Sequence, residues 1–187
     1  MMKETVDTLG NQKKVNYALR ENMTREEFIK EVTDGLAPPP KYFPLNVNMN
    51  KSGYDSIDRV LSRGLNPLGP DSFEAVAKKT DALILDVRHQ DEFVKGYVPQ
   101  SVFIGLDGGF APWVGTLIGD VNQPLLIIAP EEREEETITR LSRVGFDQTI
   151  GYLDGGFNSW KKSGKEYDMI TQVNAENLEK LSEEENV

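Results

Sequence analysis

Six consecutive residues, Glu131-Glu132-Arg133-Glu134-Glu135-Glu136, set five carboxylates around one guanidinium. They follow Leu125-Leu126-Ile127-Ile128, a short run with no charge, and then Ala129 and Pro130. Such a run reads as a strand buried on both faces. Beyond the glutamates, Ile138, Leu141 and Val144 recur every third residue as one helix face, and Gly145 closes it. A buried strand, a tight turn and a helix is where α/β proteins usually place their chemistry. This turn holds no Cys, Ser or His, and so no nucleophile. Two other groups could do chemistry. Asp86 and Arg88 stand at a strand end and tempt an acid–base reading. His89 is the one histidine; beside Asp91 and Glu92 it reads as a solvated turn residue rather than a metal ligand. The chain has no cysteine, which removes disulfides, thiolate metal sites and every cysteine-based mechanism.

The elements that must position these residues alternate. Asp71 can cap a helix whose third residue is Glu74, with Phe73, Val76 and Ala77 buried. Ala82 to Val87 is a strand, Asp91 to Lys95 a short helix and Ser101 to Ile104 a strand. Phe110 to Ile118 is a helix. The central strand and helix follow, then a last strand over Thr149 to Leu153 and a last helix over Phe157 to Lys162. Short strands alternating with helices imply a mostly parallel sheet covered on both sides. This unit runs from about Asn66 to Gly164, the usual size of one domain.

The sequence ahead of it is less regular. Met1 to Leu19 is polar, with a weak helical pattern. Thr24 and Glu27 form a capping box, Phe28, Ile29, Val32 and Leu36 make an apolar helix face, and Gly35 ends it. Pro38, Pro39 and Pro40 force an extended segment. Tyr54 to Arg63 is a further helix, with Ile57, Val60 and Leu61 inward, and Pro67 and Pro70 break it. At the other end, Asn174 starts a helix carrying Leu178 and Leu181. With its acidic turn it repeats the start of Asp71 to Val87 and stops where a strand would begin. It reads either as the opening of another domain or as a frayed acidic helix.

Leu106-Asp107-Gly108-Gly109-Phe110 with Trp113 is echoed by Leu153-Asp154-Gly155-Gly156-Phe157 with Trp160. A phosphate-cradling loop is one reading, but neither copy continues as such loops do. Sharp turns, with both tryptophans packed in the core, is the preferred one. Of the 187 residues 38% are hydrophobic, enough to bury a core. A net charge of −10 argues against nucleic acid or an anionic membrane surface as partner. No apolar run approaches the ~18 residues needed to span a bilayer. No secretory signal is visible, so the cytoplasm is the expected compartment.

Together these residues resemble a rhodanese domain. The marks are Leu85-Asp86-Val87-Arg88 with Glu92-Phe93, then Gly96 to Ser101, the strand Leu125 to Ile128, Gly145-Phe146, and Gly155-Gly156 with Trp160. Tyr97 stands where the family usually has histidine, and Gln100 where it has glycine. Active rhodaneses place a cysteine directly after the central strand, ringed by backbone N–H groups. Here that position falls at or next to Ala129, and a methyl group cannot hold a persulfide. The resemblance therefore implies a vestigial active-site loop, Ala129, Pro130, Glu131, Glu132, Arg133, Glu134 and Glu135, with no catalytic residue. It also implies that Asp86 and Arg88 tie the strand end down. The charges agree with a dead loop. A helix N-terminus attracts anions by ~0.3–1 kcal/mol. Two unit charges 4 Å apart already interact by ~1 kcal/mol in bulk water, so several glutamates repel an anion more strongly. Glu136 can instead pair with Arg140 one turn on.

Residues 1–65 carry a second resemblance. Thr8-Leu9-Gly10, Asn16 to Leu19, the Thr24 to Gly35 helix, Pro39-Pro40 with Tyr42-Phe43-Pro44, and Asn50 with Gly53 are similar to the C-terminal end of a metallo-β-lactamase-fold domain. The likeness is to persulfide dioxygenase-type enzymes that carry rhodanese domains behind them. The expected fold is α/β, a rhodanese-like, mostly parallel five-stranded sheet flanked by helices, preceded by a helical and irregular segment. The expected domains are 1–65 from the metallo-β-lactamase fold, 66–164 rhodanese-like, and 165–187 a linker and the start of a possible second rhodanese domain. No cofactor is expected in this chain; iron or zinc would belong to the upstream domain of the parent. Neighbouring domains of the same polypeptide are the expected partners, and homo-oligomerisation through the parent stays open. The expected function is a non-catalytic module of that enzyme. A sulfurtransferase-like or phosphatase-like enzyme with an unfamiliar nucleophile, or a protein-binding module with an apolar patch near Tyr97, Phe110 and Trp113, are the alternatives.

Overall fold

The central strand sets the layering. In the computed structural model, β4 is Leu125–Ile128, and all four of its residues are fully buried. Side chains alternate along a strand. Leu125 and Ile127 enter one apolar cluster with Leu85, Phe110, Ile138 and Leu141. Leu126 and Ile128 enter the other, with Phe73, Leu153, Phe157 and Trp160. Helices must therefore cover both faces, as the unbroken apolar run requires. The structure describes residues 6–20, 22–36, 43–171, 173 and 177–178.

Two units divide the chain, Met1–Pro39 and Pro40–Val187. In the first, α1 (Leu9–Val15) is capped by Thr8, a single 3₁₀ turn covers Tyr17–Leu19, and α2 spans Arg25–Thr33. Both halves of the capping box form: the Glu27 N–H donates to Thr24 Oγ1 at 3.2 Å, and the Thr24 N–H donates to Glu27 Oε2 at 2.8 Å. Gly35 then takes φ 69° and ends the helix. No residue of these three helices is buried. The triple-proline segment lies outside the described residues, as does most of the helix expected from Asn174; Asn177 and Leu178 are helical.

The second unit opens with α3 (Phe43–Ser52), a helix with no apolar period, and α4 (Ile57–Gly64), capped by Ser56. Val60 and Gly64 of α4 are buried, but Ile57, expected inward, is 41% exposed. Five strands follow: β1 (Pro67–Leu68), β2 (Leu83–Asp86), β3 (Val102–Phe103), β4, and β5 (Thr149–Leu153). Their order is β1-β5-β4-β2-β3, and every pairing between them is parallel. The connecting helices are α5 (Pro70–Thr80), α6 (Gln90–Phe93), α7 (Phe110–Leu117), α8 (Glu134–Ser142) and α9 (Gly156–Lys162). The fold is α/β, a mostly parallel five-stranded sheet between helices, as expected.

Two local expectations change. Asp71 does not cap α5. Gly69 is the N-cap and Pro70 the first helical residue, because proline's fixed φ suits that position and its missing N–H costs nothing there. Asp71 sits in the first turn instead, 2.8 Å from Lys165 Nζ. Lys165 also reaches Glu74 at 2.7 Å and, with Lys78, holds the Glu74 carboxyl down to about 2. The edge strand β1 is new; it pairs with β5 beside Gly151, where a Cβ would stand 2.9 Å from the Asn66 carbonyl oxygen. The close approach requires glycine there.

Candidate functional site

Both candidate groups lie at the C-terminal ends of the parallel strands, where α/β sheets gather their sites. At the end of β2, Asp86 is fully buried and the Arg88 side chain is only 10% exposed. Arg88 Nε donates to both Asp86 carboxylate oxygens, at 2.9 and 3.1 Å. Nη2 donates to Asp86 Oδ2 at 2.6 Å and to the Gly96 carbonyl at 2.8 Å. The Arg88 N–H donates to Asp86 Oδ1 at 3.1 Å, and the guanidinium lies 4.5 Å above the Phe157 ring. Burial pushes the Asp86 carboxyl above its usual range, with these Arg88 contacts pulling it back. The hydrogen bonds of the pair tie the end of β2 to the turn that follows, and the ring contact reaches α9.

At the end of β4 the backbone turns over Ala129 to Arg133. Ala129 is buried, at 6% exposure, and presents a methyl group. The Arg133 N–H donates to the Pro130 carbonyl, and the Arg133 carbonyl accepts from both the N–H and the hydroxyl of Thr137. Glu132 adopts φ 65°, a left-handed conformation unfavourable for a residue with a Cβ by roughly 1–2 kcal/mol. Glu131, Glu132 and Glu135 are exposed, and Pro130, Arg133 and Glu134 are half-buried. Glu131, Glu132 and Glu135 thus stand exposed around a buried methyl.

Arg133 is not free to receive an anion. It donates to Asp107 through both terminal nitrogens, at 3.2 and 3.0 Å, and to Glu136 through Nε at 2.8 Å. Arg140 adds a contact to Glu136 at 3.4 Å and donates to the Leu106 carbonyl at 2.6 Å. These guanidiniums hold the Asp107 and Glu136 carboxyls below their usual range, and the carboxylates raise Arg133 in turn. The expected Glu136–Arg140 pair is thus one arm of a larger network. Asp107 was missed as its anchor because it lies 26 residues from Arg133, inside a glycine motif that reads as a turn.

The flanking motifs divide. Gly155 and Gly156, at φ 68° and 56°, start α9, and Trp160 packs in the core at 4% exposure. The matching Trp113 does not: it is 58% exposed, so the expectation of two core tryptophans fails for this copy. Phe110, expected in an exposed patch, is buried at 1%. It is the first residue of α7 and points under the Arg140 guanidinium, 5.2 Å from its ring centroid. Tyr97 is half-buried, stacked on Phe93 at 4.4 Å and paired with Asp168 in an isolated bridge. Gln100, at a place where the resemblance expects glycine, has φ 65°. His89 is exposed, and its Nδ1 accepts from the Asp91 N–H at 3.3 Å. Among the described residues no cluster of three or more His, Cys, Asp or Glu could hold a metal ion, and no helix is long and apolar enough to cross a membrane.

A parallel sheet with these strand-end loops is the rhodanese architecture, and the family model for the rhodanese-like domain matches residues 69–163. That is just over half of the chain, and the chain belongs to this family. Among solved structures, a metallo-beta-lactamase from Staphylococcus aureus subsp. aureus COL is 23% identical with a TM-score of 0.57, over 79% of this chain and 40% of that one. A thiosulfate sulfurtransferase from Pseudomonas aeruginosa is 18% identical with a TM-score of 0.48, over 66% of this chain and 25% of that one. A rhodanese-like domain protein from Staphylococcus aureus is 20% identical with a TM-score of 0.43, over 57% of this chain and all of that one. This chain therefore spans well under half the length of the first two. Comparison with curated proteins gives no match.

Proposed function

We propose that this chain is a catalytically silent rhodanese-like module of a larger metallo-β-lactamase-fold enzyme of sulfur metabolism, of persulfide dioxygenase type. In this reading residues 1–65 end the metallo-β-lactamase-fold domain, 66–164 form the module, and 165–187 lead into a possible second rhodanese domain. The module acts structurally, between neighbouring domains of one cytoplasmic polypeptide. Iron or zinc, and the hydrolase or dioxygenase chemistry, belong to the upstream domain. One observation carries the reading: the strand–turn–helix of a sulfurtransferase is intact, but its turn holds the Ala129 methyl within a rim of glutamates. Support for the larger enzyme comes from the fold likeness to the metallo-beta-lactamase from Staphylococcus aureus, which covers more of this chain than the rhodanese-like domain alone.

A thiosulfate:cyanide transferase assay tests the silent module. The native chain is expected to turn over at the level of buffer. So is Ala129→Cys, because a buried thiol beside several carboxylates keeps its proton at neutral pH. Turnover by the native chain ends the reading. Turnover by Ala129→Cys alone would show that the glutamates contribute nothing to the silence. The exposed Trp113 favours a second reading, a module that receives a protein partner beside the vestigial loop.

A further inference from the structure

A cavity of about 470 Å³ opens between α3, the start of α4 and the C-terminal half of α8. Its size falls in the ~300–1,000 Å³ range of small-molecule sites. It lies beside Asp147, just before β5, whereas the vestigial turn follows the far end of β4. These strands are parallel, so the two places stand at opposite ends of the sheet. Helix α3 supplies Asn46, Met49 and Asn50, spaced i, i+3 and i+4 along one helix face. It therefore lines the cavity with amides rather than closing it with an apolar stripe. Ile57, which periodicity sends inward, lines this cavity instead of the core.

Two of its charged side chains have no hydrogen-bond or ion-pair partner among the described residues. The first is Asp147, which is half-buried. Burial pushes its carboxyl up, Arg63 pulls it back, and Asp55, on the same wall, pushes it up again. Arg63 is committed elsewhere: it reaches Asp55 at 3.6 Å and donates to the Asp147 backbone carbonyl. Arg59 also holds Asp55, at 3.2 Å. The second is Arg143, the C-cap of α8, which is exposed at the cavity's mouth. The free carboxylate is thus the more buried of the two, and the free guanidinium the more open. A ligand bearing only positive charge would meet Arg143, and one bearing only negative charge would meet Asp55 and Asp147. A ligand carrying both charges satisfies both groups.

We propose that this cavity binds a free α-amino acid with an aliphatic side chain, its ammonium against Asp147, its carboxylate against Arg143 and the α3 amides, and its side chain on Met49 and Ile57. The site goes beyond the silent-module reading and does not depend on it.

The probes are L-leucine, N-acetyl-L-leucine, which lacks the ammonium, and L-leucinamide, which lacks the carboxylate. Each is titrated at neutral pH into the isotopically labelled full chain and followed by amide shifts. L-Leucine should saturate, with shifts centred on residues 46–57 and 139–147. Both capped probes should bind at least about tenfold more weakly, the effect of losing a hydrogen bond between charged groups. Asp147→Asn should weaken leucine and leucinamide by a similar factor and leave N-acetyl-leucine unchanged. Arg143→Gln should weaken leucine and N-acetyl-leucine and leave leucinamide unchanged. Neither side chain has a partner to lose, so the melting temperature should hold; Arg143→Gln, on an exposed side chain, carries the test alone if Asp147→Asn unfolds. Leucine that does not saturate below about ten millimolar overturns the proposal, as do shifts centred elsewhere, equal binding of the three probes, or variants that change all three alike. Binding of leucinamide alone would make the cavity a cation site, and of N-acetyl-leucine alone an anion site; either overturns it too. None of these results touches the silent-module reading, which falls to sulfur transfer.

Discussion

Arg88→Met is expected to destabilise the second unit by about 3–5 kcal/mol, the usual cost of leaving one buried charge without its partner. Arg88 supplies three of the four donor contacts to Asp86 from its side chain, and Asp86 has no exposure at which water could replace them. The change also strands the Gly96 carbonyl and removes the guanidinium from the Phe157 ring. Burial already pushes the Asp86 carboxyl upward, so in the variant it will take a proton more readily. The sign follows. Protonation removes the buried charge, so the loss should shrink as pH falls toward 5 and be largest at neutral pH and above. The double variant Asp86→Leu with Arg88→Met removes both charges and should recover much of the loss. Urea unfolding at two pH values measures all three effects. A single variant within 1 kcal/mol of the native chain would return Asp86 and Arg88 to the acid–base reading.

Phe110→Ala should cost about 3–5 kcal/mol, the range for deleting a phenylalanine from a packed core. Phe110 is 1% exposed, in the cluster that also holds Leu85, Ile127 and Ile138. Its ring underlies Arg140, which in turn holds the Leu106 carbonyl and Glu136. Losing the ring therefore loosens the loop after β3 as well as the core. Had Phe110 formed part of an exposed patch with Tyr97 and Trp113, as the protein-binding alternative expects, the cost would be within ~0.5 kcal/mol. Thermal or urea denaturation separates the two outcomes. Trp113→Ala, on the same helix but exposed, is the matched comparison and should stay near native stability.

The pattern of Phe110 and Trp113 shows what kind of information a sequence carries. The layers were legible because strand and helix periods differ, and an apolar run such as Leu125–Ile128 needs cover on both faces. The capping box at Thr24 was legible because its two bonds are local. Helix α3 was not, since its asparagines and Pro44 give neither propensity nor period. Strand β1 was hidden because two residues, one of them proline, carry no alternation; its existence depends on Gly151 admitting it. At the candidate site, the lack of a cysteine is plain from composition. The partner of Arg133 was not, because Asp107 meets it only after the loops behind β3 and β4 are folded side by side. The repeated Gly-Gly-Phe motif misled for a related reason. The two like sequences fold as different turns, with Gly108 and Gly109 at φ 93° and −79° and Gly155 and Gly156 at 68° and 56°, and only the second delivers its tryptophan to the core.

In the proposed reading the turn after β4 is a vestigial active site and has no affinity for sulfur oxyanions. Titrating thiosulfate into the isotopically labelled chain, at fixed ionic strength, reads this at the amides of residues 129–137. Only weak, unsaturating shifts are expected there, no larger than those from chloride. Saturable shifts confined to the Glu131 to Glu135 amides, at thiosulfate concentrations below about one millimolar, would mean that the backbone still cradles an anion despite its glutamates.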